Sequence, residues 1–251
     1  MVQAVSSTVA RESRVARSLD GEGFKDFHFF RTPFIGPLKF AGEISYTDDN
    51  PQGYLIEQVP ASFNPTHFHQ VDQYQVFVQG GGKLGRHDAK PFMLHYTDRY
   101  TAYGPIVAGD AGLTYFTLRA QSDPGARPVA VFRDLLKPSK RRTINGFVPL
   151  EGAPDLATVD APTTADCFAP TEDGVRATIT RLGPGQRAGG ADPSTGGGQY
   201  FIVLRGALVR DGVALPELSC TYVYAHDPAL ELVAGPVGAE VLMTQFPRKA
   251  A

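Results

Sequence analysis

Apolar residues along this chain fall in short runs, each closed by residues that favour turns. The runs are "KFAGEISY" (Lys39–Tyr46), "YLIEQV" (Tyr54–Val59), "YQVFVQ" (Tyr74–Gln79), "LTYFTL" (Leu113–Leu118), "ATITRL" (Ala177–Leu182), "YFIVLRGALV" (Tyr200–Val209), "TYVYA" (Thr221–Ala225) and "EVLMTQF" (Glu240–Phe246). In "QYQVFVQ" the alternation sets Gln73, Gln75 and Phe77 on one face and Tyr74, Val76 and Val78 on the other, the period of two that a strand imposes. Glycines (27) and prolines (20) punctuate the whole chain, and long helical periodicity is hard to find. Many short strands with recurring turns predict an all-β sandwich or barrel. Two short helices are expected, one in the opening arm "STVARESRVARSL" (Ser7–Leu19) and one over "AVFRDLLK" (Ala130–Lys137).

An internal repeat organises these strands. "QYQVFVQG" (Gln73–Gly80) matches "QYFIVLRG" (Gln199–Gly206) at an offset of 126 residues, and "AGDAGLTYFTL" (Ala108–Leu118) matches "AGPVGAEVLMT" (Ala234–Thr244) at the same 126. Two blocks at one spacing predict two homologous β domains. Their boundaries are drawn at 25–121 and 165–248, with a linker over 122–164, where proline and charge are dense and alternation fades.

Two of the chain's six histidines, His67 and His69, lie one residue apart just before the first repeated strand. On a strand they share a face, and Gln73 has the same parity. Imidazole is a ligand for Fe, Zn, Ni, Cu and Mn. A catalytic metal site needs at least three protein donors with a position left for water or substrate. Gln73 is the weak third donor, and His95, then His87, then Tyr103 are the candidates to complete the set, in that order of preference. A hairpin closing at Gly80–Gly82 would set His87 opposite Gln75. His28 and His226 read as ordinary surface residues, and "KPSKRR" (Lys137–Arg142) as a solvated basic run.

His67-Phe68-His69, three residues, Gln73, six residues, Gly80 is similar to the first cupin motif, H-x-H, three residues, Glu, six residues, Gly, with Gln at the Glu position. "TDRYTAYG" (Thr97–Gly104) resembles the second motif, whose histidine would fall near Val107, where there is none. The offset of 126 carries His67 onto Pro193 and His69 onto Thr195, so the second copy keeps the strand and loses the ligands. The resemblance implies a bicupin, two jelly-roll β-barrels in one chain, with one divalent transition metal (Fe, Mn, Ni, Cu or Zn) on His67, His69, Gln73 and His95. It implies a metal-dependent enzyme of dioxygenase, decarboxylase or isomerase type acting on a small anionic or chelating molecule. Tyr103 and Gln75 are the expected catalytic residues, and Phe77, Tyr115, Phe116 and Arg119 the expected pocket lining. The alternatives are a non-catalytic small-molecule-binding cupin and a metal-free lyase or isomerase with Tyr and His as acid and base.

Composition narrows the partners. Lys and Arg number 24 against 26 Asp and Glu, which lacks the basic excess of a nucleic-acid binder. Two distant cysteines, Cys167 and Cys220, make no disulfide framework and point to a reducing compartment. The first residues show no signal-peptide core and no run reaches the length of a membrane span, so a cytoplasmic protein without membrane partners is expected. The reading admits a homodimer.

Overall fold

The computed structural model describes residues 2–36, 47–150 and 153–249, so the run expected as a strand over Lys39–Tyr46 lies outside the described residues. The chain is built from antiparallel sheets and divides into two compact units. One is Ser13–Gly146; the other joins Met1–Glu12 to Phe147–Ala251.

In the Ser13–Gly146 unit the described residues form a nine-stranded sheet. Its main path runs Thr143–Phe147, Met93–Thr97, Gln73–Leu84, Ile106–Arg119, Gln52–Gln58, Phe24–Ile35 and Val15–Gly21. Gln75 lies opposite Thr117 and Phe77 opposite Tyr115, while across the next ladder Arg119 faces Gln52, Thr117 faces Tyr54 and Tyr115 faces Ile56. The alternation read from the sequence therefore holds over three adjacent strands and turns whole rows of side chains inward. Aromatic and aliphatic rows, with Phe27, Phe29, Phe77 and Tyr115 among them, make one end of the interior a continuous apolar core.

The hairpin register differs from the expected one. Gly80–Gly82 is not a turn. The strand runs on to Leu84, which pairs with His87, and the residue opposite Gln75 is His95. Gly80 is needed for another reason: its φ is +78°, and a Cβ there would stand 2.2 Å from the carbonyl oxygen of Gly112 on the neighbouring strand. A triple glycine reads equally well as a turn or as a bulge where two backbones close in, and here the second holds.

The second unit repeats this plan. Gln199–Arg210 pairs with Glu231–Gln245, with Gln199 opposite Gln245, Phe201 opposite Met243 and Val203 opposite Val241. Its edge is completed by the chain's opening strand, Gln3–Val5, which pairs with Cys220–Val223 through Ala4 and Thr221. The expected helix over Ser7–Leu19 is confined to Ser7–Arg11, capped by the Ser6 hydroxyl, and Val15–Gly21 is an edge strand. "VARSL" alternates with period two, and that outweighs its helical propensity once a partner strand is present. The second expected helix is one short turn, Val129–Phe132, continued by a tighter turn over Arg133–Leu135. Among the described residues no helix is long and apolar enough to cross a membrane.

Candidate functional site

The inward rows of the Ser13–Gly146 unit leave a cavity of about 430 Å³. One wall is apolar, from Leu19, Phe24, Phe27, Phe29 and Ile56; the other is polar and carries His67, His69, Gln73, Gln75, Tyr103 and Arg119. Phe27 and Phe29 stack with centroids 4.6 Å apart. Such a mixture, mostly apolar with convergent polar groups, is what small-molecule sites share.

Hydrogen bonds fix both histidine tautomers. His67 Nδ1 lies 2.6 Å from the carbonyl oxygen of Pro65, which can only accept, so this nitrogen carries the proton. His67 Nε2 is left with its lone pair and accepts from the Tyr103 hydroxyl at 2.9 Å. Backbone bonds in both directions between His67 and Tyr103 hold the two residues side by side. His69 Nδ1 donates to Asp123 Oδ1 at 2.7 Å, which leaves its Nε2 unprotonated. The two rings meet nearly at right angles, with centroids 5.2 Å apart.

Gln73 and Arg119 close the arrangement. Gln73 Nε2 donates to the Tyr103 oxygen at 2.6 Å, and Gln73 Oε1 accepts from Arg119 Nε at 2.9 Å. Arg119 Nη1 donates to Gln52 Oε1 at 3.1 Å, and its Nη2 lies 3.2 Å from His69 Nε2. The guanidinium is only 2% exposed. Tyr54, opposite Thr117, has Arg31 over its ring at 3.9 Å and Arg119 at 5.5 Å.

Burial controls the electrostatics. It pushes His67 down to about 3, with His69 adding to the effect, so the ring is neutral at physiological pH. His69 is lowered too, by burial and then by Arg119, against the pull of Asp123. Burial raises Tyr103 well above the ordinary phenol range, and it keeps its proton. Burial would raise Asp123, but His69 and Arg119 beside it, with hydrogen bonds from His69 and Gln70, hold its carboxyl below the usual range. Positive charge in the site is thus carried by arginine, with Asp123 behind His69 as its nearest described counter-charge.

Of the residues expected at the site, His67, His69, Gln73, Gln75, Tyr103, Tyr115 and Arg119 all line the cavity. Gln75 is buried with its Oε1 unpartnered. Phe77 packs in the core behind the cavity, its ring centroid 5.2 Å from that of Tyr115, and Phe116 faces the other way, against Phe34. His95 is not on the cavity wall. Its Nδ1 bonds to Asn145 at 2.8 Å, its ring stands 5.1 Å from that of Tyr103, and burial pushes it down to about 4. His87 pairs with Leu84 in an exposed hairpin, away from Gln75.

The donor set does not fit a divalent ion as it stands. Both imidazoles have the arrangement of metal-bound histidines, with the outer N–H committed and the inner lone pair turned inward. A third donor is missing. Gln73 Oε1 is bonded to Arg119, His95 is turned to Asn145, and Tyr103 keeps its proton and directs it at His67. Among the described residues no group of three or more His, Cys, Asp or Glu is placed to hold an ion. The guanidinium near His69 Nε2 also disfavours a second cation by like-charge repulsion.

Asp123, Gln52, Tyr54 and Arg31 were not foreseen as part of this site. Tyr54 is legible by parity, two residues before the inward Ile56. Asp123 lies in "SDPG", a turn signal within the stretch expected to be a linker, and nothing local marks it as the partner of a histidine 54 residues earlier.

No family model matches the chain, and no curated protein matches it in sequence. Solved structures do match in fold. A protein provisionally described as a dioxygenase, from Nostoc punctiforme, superposes with a TM-score of 0.62 at 11% identity, over 100% of this chain and 85% of its own. Oxalate decarboxylase of Bacillus subtilis, a protein with Mn(II) centres, gives 0.56 at 12%, over 99% and 78%. The bacterial pirin of Escherichia coli, solved with nickel(II), gives 0.59 at 9%, over 99% and 100%. The fold is the cupin fold, present twice, so the chain has the architecture of a bicupin.

Proposed function

We propose that the Ser13–Gly146 unit takes a small anionic organic molecule into its cavity and acts on it by proton transfer, as an isomerase or lyase. The observation that carries this reading is the Tyr103–His67 hydrogen bond, set on the cavity wall beside the buried Arg119. A carboxylate or enolate at this wall meets a fixed positive charge and a phenol that retains its proton, a pre-arranged pair of oxyanion donors. An anion bound there also favours protonation of the adjacent imidazole, which lets the neutral His67 accept a proton in the complex although it stays neutral in the free protein. The apolar wall of Leu19, Phe24 and Phe27 receives the rest of the molecule.

Hydrogen–deuterium exchange tests the reading directly. A panel of keto- and hydroxycarboxylates is incubated in D2O with protein treated with EDTA, and loss of the carbon-bound proton is followed by NMR. Exchange of at least one compound is expected, and it should disappear in His67→Ala and slow sharply in Tyr103→Phe.

A second reading is a metal-dependent dioxygenase or decarboxylase, in keeping with what several proteins of the same fold are. One observation favours it: His67 and His69 both direct an Nε2 lone pair inward. The outcome that selects it is turnover of the same panel only after a divalent metal has been added back, with none in the EDTA-treated protein.

A further inference from the structure

We infer that Gln73 decides which cation this site holds: its amide seats the Arg119 guanidinium and thereby excludes a divalent metal ion. The inference rests on the reading that the cavity binds an anion beside Arg119.

An amide has one donating and one accepting end, and Gln73 uses both. Its NH2 donates to Tyr103 Oη, so the phenol proton is directed onward to His67 Nε2. Its oxygen accepts from Arg119 Nε. The orientation is forced, because exchanging the two ends would point NH2 at the N–H of arginine. A single residue, itself fully buried, thus occupies the His67 lone pair through Tyr103 and anchors the guanidinium, whose Nη2 lies 3.2 Å from both ring nitrogens of His69. One metal-binding nitrogen is occupied in consequence, and a fixed positive charge stands against the ring that carries the other.

A carboxylate in place of that amide has nothing to donate. The Tyr103 hydroxyl would turn its proton to the carboxylate, which uncovers His67 Nε2. With the guanidinium also removed, the like-charge repulsion beside His69 is gone too. Two imidazoles and one carboxylate on a cavity wall are a three-donor set with room for water, the composition of known catalytic metal sites. The backbone already places these residues; two side chains stand between the present site and a metal site.

Cobalt(II) reads this without any substrate, by equilibrium dialysis and by its visible d–d absorption. Wild-type protein, purified without a nickel column and treated with EDTA, is expected to take up no cobalt at this site. The double variant Gln73→Glu/Arg119→Met is expected to bind about one equivalent, at least about tenfold more tightly than wild type, and to lose it on further substitution His67→Ala. Uptake of one equivalent by the wild type, lost in His67→Ala, overturns the inference, and that measurement stands even if the double variant does not fold. A folded double variant that binds no more cobalt than wild type overturns it as well. Because no turnover enters the readout, failure of the proton-transfer reading and failure of this inference are separate results.

Discussion

The two units share a register and differ in what fills it. In the Ser13–Gly146 unit Gln75 faces Thr117, and both line a cavity. At the corresponding positions 126 residues later Phe201 faces Met243, and both belong to a packed apolar core. Gln73 and Arg119 correspond to Gln199 and Gln245. There Gln199 Nε2 donates to Gln245 Oε1 at 2.8 Å, and Gln245 Nε2 donates to the carbonyl of Gly174 at 2.7 Å, so two neutral amides and the backbone stand where the first unit has an amide and a guanidinium, with Gln199 Oε1 left unpartnered. Even the bulge is kept: Gly206 has φ +72° and would set a Cβ 2.2 Å from the oxygen of Gly238, as Gly80 does toward Gly112. The backbone is therefore neutral between the two outcomes. Gln75 and Thr117 at one level of the sheet border a cavity, and Phe201 and Met243 at the same level make a core.

The sharpest way to break this comparison is to transplant it. Gln75→Phe with Thr117→Met gives the first unit the filling of the second, and binding of whichever carboxylate undergoes exchange should fall by at least about a hundredfold, or about 2.8 kcal/mol, in a calorimetric titration. Circular dichroism should be unchanged. Retained affinity would mean that the cavity does not depend on these two positions. Tyr103→Phe comes next. It deletes one oxygen from the polar wall and should slow exchange by about 10²–10⁴ while the affinity shifts only a few-fold; an unaffected rate would remove Tyr103 from the chemistry.

Truncation in the packed unit should be felt as stability. Phe201→Ala leaves a hole in a filled core and should cost about 3–5 kcal/mol in a denaturant titration. A loss under about 1 kcal/mol would show that this unit is not packed as described. Acid should separate the units in the same experiment. His67 and His95, in the first unit, are pushed down to about 3 and about 4 from an ordinary 6.5, whereas the only histidine of the other unit, His226, is exposed. A histidine held neutral in the fold binds a proton more readily when unfolded. Its stabilisation is therefore complete above pH 6.5 and lost as pH falls from there toward the folded value, by up to about 1.4 kcal/mol per pH unit for each ring. The first unit should melt earlier below pH 6, and His95→Gln should flatten its slope; equal slopes with and without His95 would contradict this. The smallest effect belongs to the surface. Arg176→Ala breaks an exposed pair with Asp166 and should change stability by less than about 1 kcal/mol.

Much of the fold could be read from the chain, because the repeat and the alternation record a backbone that recurs in register. Gln73 and Gly80 recur as Gln199 and Gly206 at one offset, and each pair has equivalent neighbours in its sheet: Gln73 faces Thr97 as Gln199 faces Val223, and Gly80 faces Leu113 as Gly206 faces Ala239. The row His67, His69, Gln73, Gln75 follows from parity; the inward face of the strand carrying Tyr115 and Arg119 does not, since Phe116, of opposite parity to Tyr115, is expected in the pocket beside it. What could not be read was how those groups bond to one another. Whether Gln73 offers its oxygen to a metal or to a guanidinium depends on Arg119, which is 46 residues away along the chain. Whether His69 is anchored depends on Asp123, within a stretch whose composition says only turn. The helix expected over Ser7–Leu19 failed for a similar reason. Its second half pairs with Phe24–Ile35, and a partner strand outweighs local propensity.

The opening strand has a consequence for synthesis. Gln3–Val5 finds its partner at Cys220–Val223, 217 residues further on, counted from Ala4 to Thr221. Everything the Ser13–Gly146 unit needs leaves the ribosome in between. That unit can close while translation continues, but at about 5–20 residues per second the first strand waits some 10–40 seconds, on the order of the time taken to make the rest of the chain. Through that interval its backbone donors and acceptors have no strand partner, and the edge of the second unit stays open until Cys220–Val223 is made.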